Sequence, residues 1–229
     1  MAQPDSVTQA VRDPQRLQEL YELDLLDSAI EDAFDRLTRL ASKVTGSPVS
    51  LISLVDADRQ FFKSLLGLPE PVASARETPL SHSFCQHVVA SGKPLIVEDA
   101  RKVSLLQDNL AITDLNVVGY LGMPLTTASG QNLGSFCVID NKPRQWSEEE
   151  IEIVRELALS TMTEIELRAE IVARKNAESE LIKRNRQYQR AYRFAESTLK
   201  HMQDSVGKGA DRQEILVYIQ QMQTQLERL

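Results

Sequence analysis

Chemistry-bearing side chains first meet in the run Ser81-His82-Ser83-Phe84-Cys85-Gln86-His87, where one thiol stands between two imidazoles. That grouping suggests either a metal site or a reactive thiolate. For a metal the geometry is poor, because His82 and His87 are five residues apart and do not share one helix face. A haem would need an axial histidine, and His87 is the better placed of the two. A reactive thiolate needs a lowered pKa and access. Neither is visible in the sequence, so Cys85 reads first as a small buried hydrophobe. The second cysteine, Cys137, lies in the apolar run Leu133 to Ile139, where alternation puts it on one face with Leu133, Ser135 and Ile139, and it reads as structural. Two cysteines without CxxC spacing make neither a disulfide framework nor a zinc site and fit a reducing cytoplasm. There is no glycine-rich phosphate loop, Ser-His-Asp arrangement, HExxH or EF-hand loop. The expectation is a protein with no catalytic residues and no metal.

Composition narrows the class further. A formal net charge of −7 favours solubility, and no run of about 18 apolar residues is present to span a membrane. Met1 to Val11 is polar and lacks the apolar core of a signal peptide. All nine prolines and seven of the nine glycines precede residue 145, after which a long helical tract begins. Residues 168–200 carry nine Lys or Arg against four Glu. Such an excess could meet nucleic acid, but spread around a helix it reads as a solvated face, so neither a nucleic-acid nor a membrane partner is expected.

The elements that must position these residues follow from caps and periodicity. Asp13-Pro14 opens a helix carrying Leu17, Leu20, Tyr21 and Leu25. Ser28 to Glu31 has the form of a capping box for a second helix, with Ile30, Ala33, Phe34, Leu37, Leu40, Ala41 and Val44 on one side and Gly46 as its stop. Val49 to Val55 is apolar on both faces and suits a strand covered from both sides. Gln60 to Leu66 returns as a second strand after the turn Asp56-Ala57-Asp58. Ser81 to Ser91 forms a short helix ended by Gly92, Pro94 to Glu98 a third strand, and Tyr120–Thr126 with Leu133–Ile139 a hairpin. Ser147 to Glu150 is another capping box, opening the final helix. Further along, Leu181, Asn185, Tyr188, Tyr192, Ala195, Leu199 and Met202 recur at spacings of four and three, a coiled-coil seam. A helix over 147–204 would run roughly 85 Å at 1.5 Å per residue, too long to bury itself on so small a domain, so a homodimer is expected. Gly207-Lys208-Gly209 breaks the tract, and Ile215, Ile219, Met222, Leu226 and Leu229 resume the spacing. That last segment either folds back as a hairpin or continues the seam.

Several of these runs resemble bacterial GAF domains of the signal-transduction type: LYELDLLDSAIEDAFDRLTRLASKVTGSPVSLISLVDADRQFFKSLLGL, SHSFCQHVVASGKPLIVEDA, GYLGMPL and LGSFCVIDNKPRQWSEEE. The resemblance covers about residues 14 to 170 and implies an α+β fold. That fold has a central antiparallel sheet, helices on one face that hold a dimer, and a ligand pocket on the other. The organisation it suggests is a flexible N-terminus (1–12), the GAF domain (13–170), a signalling coiled-coil helix (171–206), a break (207–211) and a C-terminal helix (212–229). ELRAEIVARKNAESELIKRN resembles the signalling helix that links such sensors to an output domain. No output domain follows it, so the chain reads as a short regulator or as the sensor portion of a longer protein.

By resemblance, a small ligand would be met by Phe62, Ser83, Phe84, Cys85, His87, Asp99, Asp108, Asn109 and Tyr120. The resemblance names no cofactor. Bilin attachment in phytochrome-type GAF domains uses a cysteine directly followed by histidine, whereas here Gln86 intervenes. The residue signature of cyclic-nucleotide GAF domains is not evident. The implied function is that of a cytoplasmic, dimeric, non-enzymatic sensor that binds an unidentified small molecule and passes its state through the helix to a partner or output domain. Two other readings remain: a thiol enzyme of the free methionine sulfoxide reductase kind, and a structural dimeriser whose pocket is filled by side chains.

Overall fold

The structure, a computed structural model, describes residues 4–207 and 212–226. The chain divides into two compact units that meet in sequence at Ala169 and Glu170. The elements of the first unit are helices α1 (Pro4–Val11), α2 (Pro14–Glu22) and α3 (Asp32–Thr45), strands β1 (Val49–Val55) and β2 (Arg59–Leu66), the short helix α4 (Val72–Ala75), strand β3 (Glu77–Pro79), helix α5 (Cys85–Ser91), strand β4 (Leu95–Val97), the short helix α6 (Ala111–Asp114), and strands β5 (Gly119–Thr126) and β6 (Asn132–Asp140). Helix α7 (Glu148–Gly207) begins in this unit and continues into the second, where α8 (Arg212–Leu226) follows.

The six strands form one antiparallel sheet in the order β3-β2-β1-β6-β5-β4. As the apolar character of Val49–Val55 on both faces predicts, the sheet is covered on both sides. Alternate residues feed two cores. Ile52, Leu54, Leu121, Met123, Phe136 and Val138 pack with Leu20, Phe34, Val154 and Ile165 of α2, α3 and α7. Leu51, Val55, Phe62, Tyr120, Cys137 and Ile139 pack with α1 and α5. Complete burial of a side chain such as Phe34 or Phe136 contributes about 1.5–3 kcal/mol.

Two bulges interrupt the alternation. Leu125 faces Gly134 while Thr126 faces Asn132, so Leu133 is the extra residue of β6 and packs in the core of α2 and α3. The face expected to hold Leu133 together with Cys137 is therefore split. In β2, Ile52 faces Ser64 and Ser53 faces Phe62, so Lys63 and Ser64 both turn toward α3. A Cβ at Gly134 would lie 1.9 Å from the Ser53 carbonyl oxygen, which is why the centre of the sheet takes a glycine there.

Three sequence readings are corrected. The N-terminus expected to be flexible over 1–12 contains α1, with Val7 and Val11 buried against α5. The buried guanidinium of Arg16 holds it there, donating to the carbonyls of Val11 and, at 2.8 Å, Val55. The capping box at Ser28 does not form. Helix α3 starts at Asp32, Ile30 is 66% exposed, and the Ser28 hydroxyl instead donates to Leu25 and accepts from the Lys63 ammonium. Leu40 and Val44 face solvent, the buried stripe of α3 being Phe34, Thr38, Ala41 and Thr45.

The capping box at α7 does form. The Ser147 amide donates to Glu150 Oε2 at 2.9 Å, and the Glu150 amide to Ser147 Oγ at 3.2 Å. Arg144 anchors the same corner through Asp140 at 3.0 Å, Glu150 and the Thr45 carbonyl, stacking 4.5 Å from the Trp146 ring centre.

In the second unit Phe194 of α7 and Val217, Gln220, Gln221 and Thr224 of α8 line one groove, so α8 folds back as a hairpin. Thr198 is buried, with Ala195 and Met202 half-buried beside it. Leu181, Tyr188, Tyr192 and Leu199 stay exposed, as does Asn185. Of the break expected at 207–211, Gly207 ends α7, and residues 208–211 lie outside the described residues, as do the side chain of Leu226 and all of Leu229. Among the described residues no helix is long and apolar enough to cross a membrane.

Candidate functional site

On the α5 side of the sheet a small cavity opens among β1, β2, β5, β6, α5 and α6. It is lined by Leu51, Gln60, Phe62, Leu68, His82, Phe84, Cys85, Ala111, Leu115, Val117, Tyr120, Cys137 and Ile139. Its volume, about 20 Å³ for the centres of water-sized spheres, is room for about one small molecule of water's size. None of the lining residues is Lys, Arg, Asp or Glu. Its one titratable base, His82, is engaged outward with Ser81 Oγ at 3.0 Å and Asp114 at 3.1 Å.

Tyr120 forms one wall. Its ring lies 5.3 Å from that of Phe84 and tilted to it, within the favourable range for aromatic pairs. It rises along its own strand over Gly122, where a Cβ would sit 2.4 Å from the phenol oxygen. The glycine thus gives the ring its place. The phenol reaches Cys85 Sγ at 3.4 Å and Ser135 Oγ at 3.3 Å. Burial, reinforced by the two thiols, pushes its pKa well up, so it stays a neutral phenol. Both cysteines are free and buried.

A second wall is a buried polar network centred on Gln60. Its amide donates to Thr78 Oγ1 at 2.7 Å and the His82 carbonyl at 3.2 Å, while its oxygen accepts from Ser83 Oγ at 2.7 Å and Ser53 Oγ at 3.2 Å. The loop leading into α5 is held as firmly. Gln86 Nε2 donates to the Leu80 and Ser83 carbonyls, and Asn109 Nδ2 to the Ser83 carbonyl at 3.0 Å, while Asn109 Oδ1 caps the Ala111 amide. Satisfied buried networks of this kind fix a unique geometry.

Of the residues the sequence nominates, the structure brings Phe62, Phe84, Cys85 and Tyr120 to the cavity. Ser83 and Asn109 frame it from behind. Three others are elsewhere. Asp99 caps the turn at Ala100 and pairs with Arg101 at 2.7 Å, which holds its carboxyl down to about 2. Asp108 is exposed. His87 turns away on α5, its Nδ1 buried without a hydrogen-bond partner among the described residues. Sequence reasoning missed Gln60 and Val117, weighed His82 only as a metal ligand, and left Cys137 as a plain core residue. The signal for Cys137 was its alternation with Ile139, once β6 is paired with β1 so that Leu51 stands opposite Cys137. Among the described residues no three His, Cys, Asp or Glu are grouped to hold a metal ion.

On the opposite face of β2, the residue after Phe62 leaves the cavity altogether. Lys63 is fully buried, its ammonium held by Glu31, by the Ala29 carbonyl at 2.8 Å and by Ser28 Oγ at 2.7 Å. Glu31 also takes Arg168 of α7 at 3.0 Å, and Arg168 donates to the Leu23 carbonyl at 3.0 Å. Burial pushes the Glu31 carboxyl up, but the hydrogen bond and charge of Lys63 together with Arg168 outweigh it and leave its pKa lowered.

The family model described as "GAF domain" matches residues 29–165. A cyclic di-GMP phosphodiesterase of Pseudomonas aeruginosa is 35% identical over 124 residues, 54% of this chain and 20% of that protein, so the chain spans about a fifth of that relative's length. Among solved structures, a domain described as part of a two-component sensor histidine kinase from Sinorhizobium meliloti superposes with a TM-score of 0.52 at 22% identity, covering 65% of this chain and 99% of that one. The GAF domain of an Acinetobacter phosphoenolpyruvate-protein phosphotransferase gives 0.51 at 19% identity, covering 70% and 90%. At these identities the likeness is one of fold.

Proposed function

The chain belongs to the GAF domain family, and from that premise we propose that it is a non-enzymatic sensory module that relays the state of its cavity into helix α7. The observation that carries this reading is the adjacency of Phe62 and Lys63. Phe62 is a cavity wall, and Lys63, the next residue on the same strand, reaches Arg168 of α7 through the single carboxylate of Glu31. Anything that shifts the β2 bulge on one face therefore alters an ion pair on the other. A ligand acts on such an element only through its differential affinity for two arrangements, and here the two arrangements are Glu31 shared by Lys63 and Arg168, or released by one of them. The ligand is small and uncharged, because the lining offers no charged partner to a phosphate or a carboxylate. The likeness to a segment of a cyclic di-GMP phosphodiesterase supports a place beside a signalling output.

The protein acts as a homodimer through α7, whose Leu181, Tyr188 and Tyr192 are each more than 60% exposed, and works in the cytoplasm. Hydrogen exchange tests the relay without any ligand. Phe62→Ala changes the cavity, and amide exchange across residues 162–175 is compared in that variant, in Glu31→Gln and in the double variant. A response to Phe62→Ala that vanishes in the Glu31→Gln background supports the relay. The same response in both backgrounds, or none in either, refutes it.

A further inference from the structure

The cavity brings together two thiols that the sequence separates by 52 positions. Cys85 is the first residue of α5, Cys137 lies in the middle of β6, α5 packs directly on β6, and both side chains line the same water-sized space. They are the one pair in that lining that can form a disulfide with each other. A hydroxyl lies beside them: Tyr120 stands 3.4 Å from Cys85 Sγ and is itself tied to Ser135. We propose that Cys85 and Cys137 are a peroxide-reactive thiol pair, with Cys85 the attacking sulfur, Cys137 the resolving one, and a small uncharged hydroperoxide as the oxidant.

The geometry selects the oxidant. A space for about one water-sized molecule with uncharged walls admits hydrogen peroxide and excludes a charged or bulky disulfide reagent. In the first step the Cys85 thiolate attacks one peroxide oxygen. An S–O bond forms and the O–O bond breaks, two electrons pass from sulfur to oxygen, and the leaving hydroxide takes a proton to become water. Tyr120, kept a phenol, stands where its one O–H can donate to the sulfur or to the oxygen that joins it. In the second step Cys137 attacks the sulfur of the Cys85 sulfenic acid. The S–S bond forms, the S–O bond breaks, and the Cys137 proton leaves with the hydroxide as a second water. A dithiol reductant returns both residues to thiols once denaturant opens the cavity.

The electrostatics agree with the roles. Interaction with Cys137 is the largest influence on Cys85 and lowers its pKa; burial opposes it, and Tyr120, Ser53 and Ser135 add to it. Burial pushes Cys137 well up, so it remains a thiol until the sulfenic acid forms. The pair shares the cavity with the relay but does not depend on it, because the exchange experiment above uses no oxidant and leaves both cysteines in place.

The test uses the whole chain. Reduced protein is exposed to an equimolar amount of hydrogen peroxide, quenched with an alkylating agent under denaturing conditions, and mapped by mass spectrometry. The expected product is a Cys85–Cys137 peptide pair lighter by two hydrogens, with no alkylation at either site, restored by dithiothreitol. Cys137→Ser should stop at a Cys85 sulfenic acid that dimedone, added together with the denaturant, captures, and Cys85→Ser should give neither product. Because the wild-type result stands alone, a variant that fails to fold does not obscure it. Two fully alkylated cysteines after peroxide treatment, or disulfides only between chains, overturn the proposal.

Discussion

The guanidinium of Arg168 lies 3.0 Å from the carboxylate of Glu31, which at the same time neutralises the buried ammonium of Lys63. The two cations are not equivalent. Lys63 has no exposed side-chain surface, whereas Arg168 keeps about a fifth of its own and Glu31 about a third. Removing the carboxylate leaves an uncompensated charge inside the protein, and removing the lysine does not.

Glu31→Gln should therefore lower stability by about 2–3 kcal/mol, below the full loss for a wholly buried pair because water reaches part of Glu31. Lys63→Met should cost less, since the methionine fills the same channel beneath Phe34 and Glu31 keeps Arg168. Urea unfolding followed by circular dichroism measures both. Equal losses would mean that packing at position 63, rather than the paired charge, sets the stability of this corner.

Gly134 and Gly46 separate steric from conformational demands. At Gly134 an added methyl would meet the Ser53 carbonyl at 1.9 Å and Leu54 Cα at 2.9 Å, so β1 and β6 could not keep their spacing. Gly134→Ala should cost at least about 3 kcal/mol, at the upper end for overpacking. At Gly46 nothing lies within 4 Å, and only its φ of +67° resists a side chain. Gly46→Ala should cost about 1 kcal/mol, the ordinary penalty of a left-handed helix cap. Denaturation midpoints of the two variants, compared in one experiment, give the ranking.

Much of this architecture was legible because it follows from local signals. The apolar run of β1, the hairpin of β5 and β6, the stop at Gly92 and the capping box at Ser147 each state their element within a few residues. What stayed hidden depends on partners distant in sequence. Ser28 has the form of a cap, but its hydroxyl is taken by Lys63, 35 residues away. The bulge at Leu133 moves that residue to the opposite face, and no periodicity within β6 announces it. The flexible reading of the N-terminus failed because α1 is held by the buried Arg16, whose partners Val11 and Val55 lie on two different elements. At the cavity, Phe62, Phe84, Cys85 and Tyr120 were found by resemblance, whereas Gln60 and His82 enter only through tertiary folding. Asp99 and Asp108 looked available for a ligand because acidic residues in loops always do. One is an ion-paired cap, and the other faces solvent.

His87 makes stability depend on pH in a defined direction. Burial lowers its pKa from the ordinary histidine value, and its Nδ1 finds no partner among the described residues. The unfolded chain then binds a proton that the folded chain refuses. The stability contribution is full above about pH 6.5 and is lost as pH falls from there through the lower folded pKa, by at most about 1.4 kcal/mol per pH unit. Urea midpoints between about pH 7.5 and pH 5.5 span the window while staying above the ordinary glutamate range near 4.3, which keeps Glu31 out of the titration. The decline seen in the wild type should be smaller in His87→Gln. An unchanged slope would assign the effect to other groups.

The exposed stripe of α7 predicts the assembly. Leu181 and Tyr188 are 67% and 63% exposed, seven residues apart on one helix face, with Tyr192 at 67% continuing the line. Helix α8 does not cover them, because it lies beside Phe194 and the half-buried positions that follow. Apolar side chains recurring with a heptad period are stable in water only when a second helix receives them. The whole chain should therefore scatter light with twice its mass of 25.7 kDa. The double substitution Leu181→Glu and Tyr188→Glu sets like charges against each other at the seam, so it should bring the mass down to one chain. The circular dichroism of the GAF domain should not change, since neither residue is a member of the sheet's two cores. A wild-type chain that is already monomeric at tens of micromolar, or a charged variant that remains a dimer, would remove α7 from the role of dimerisation element.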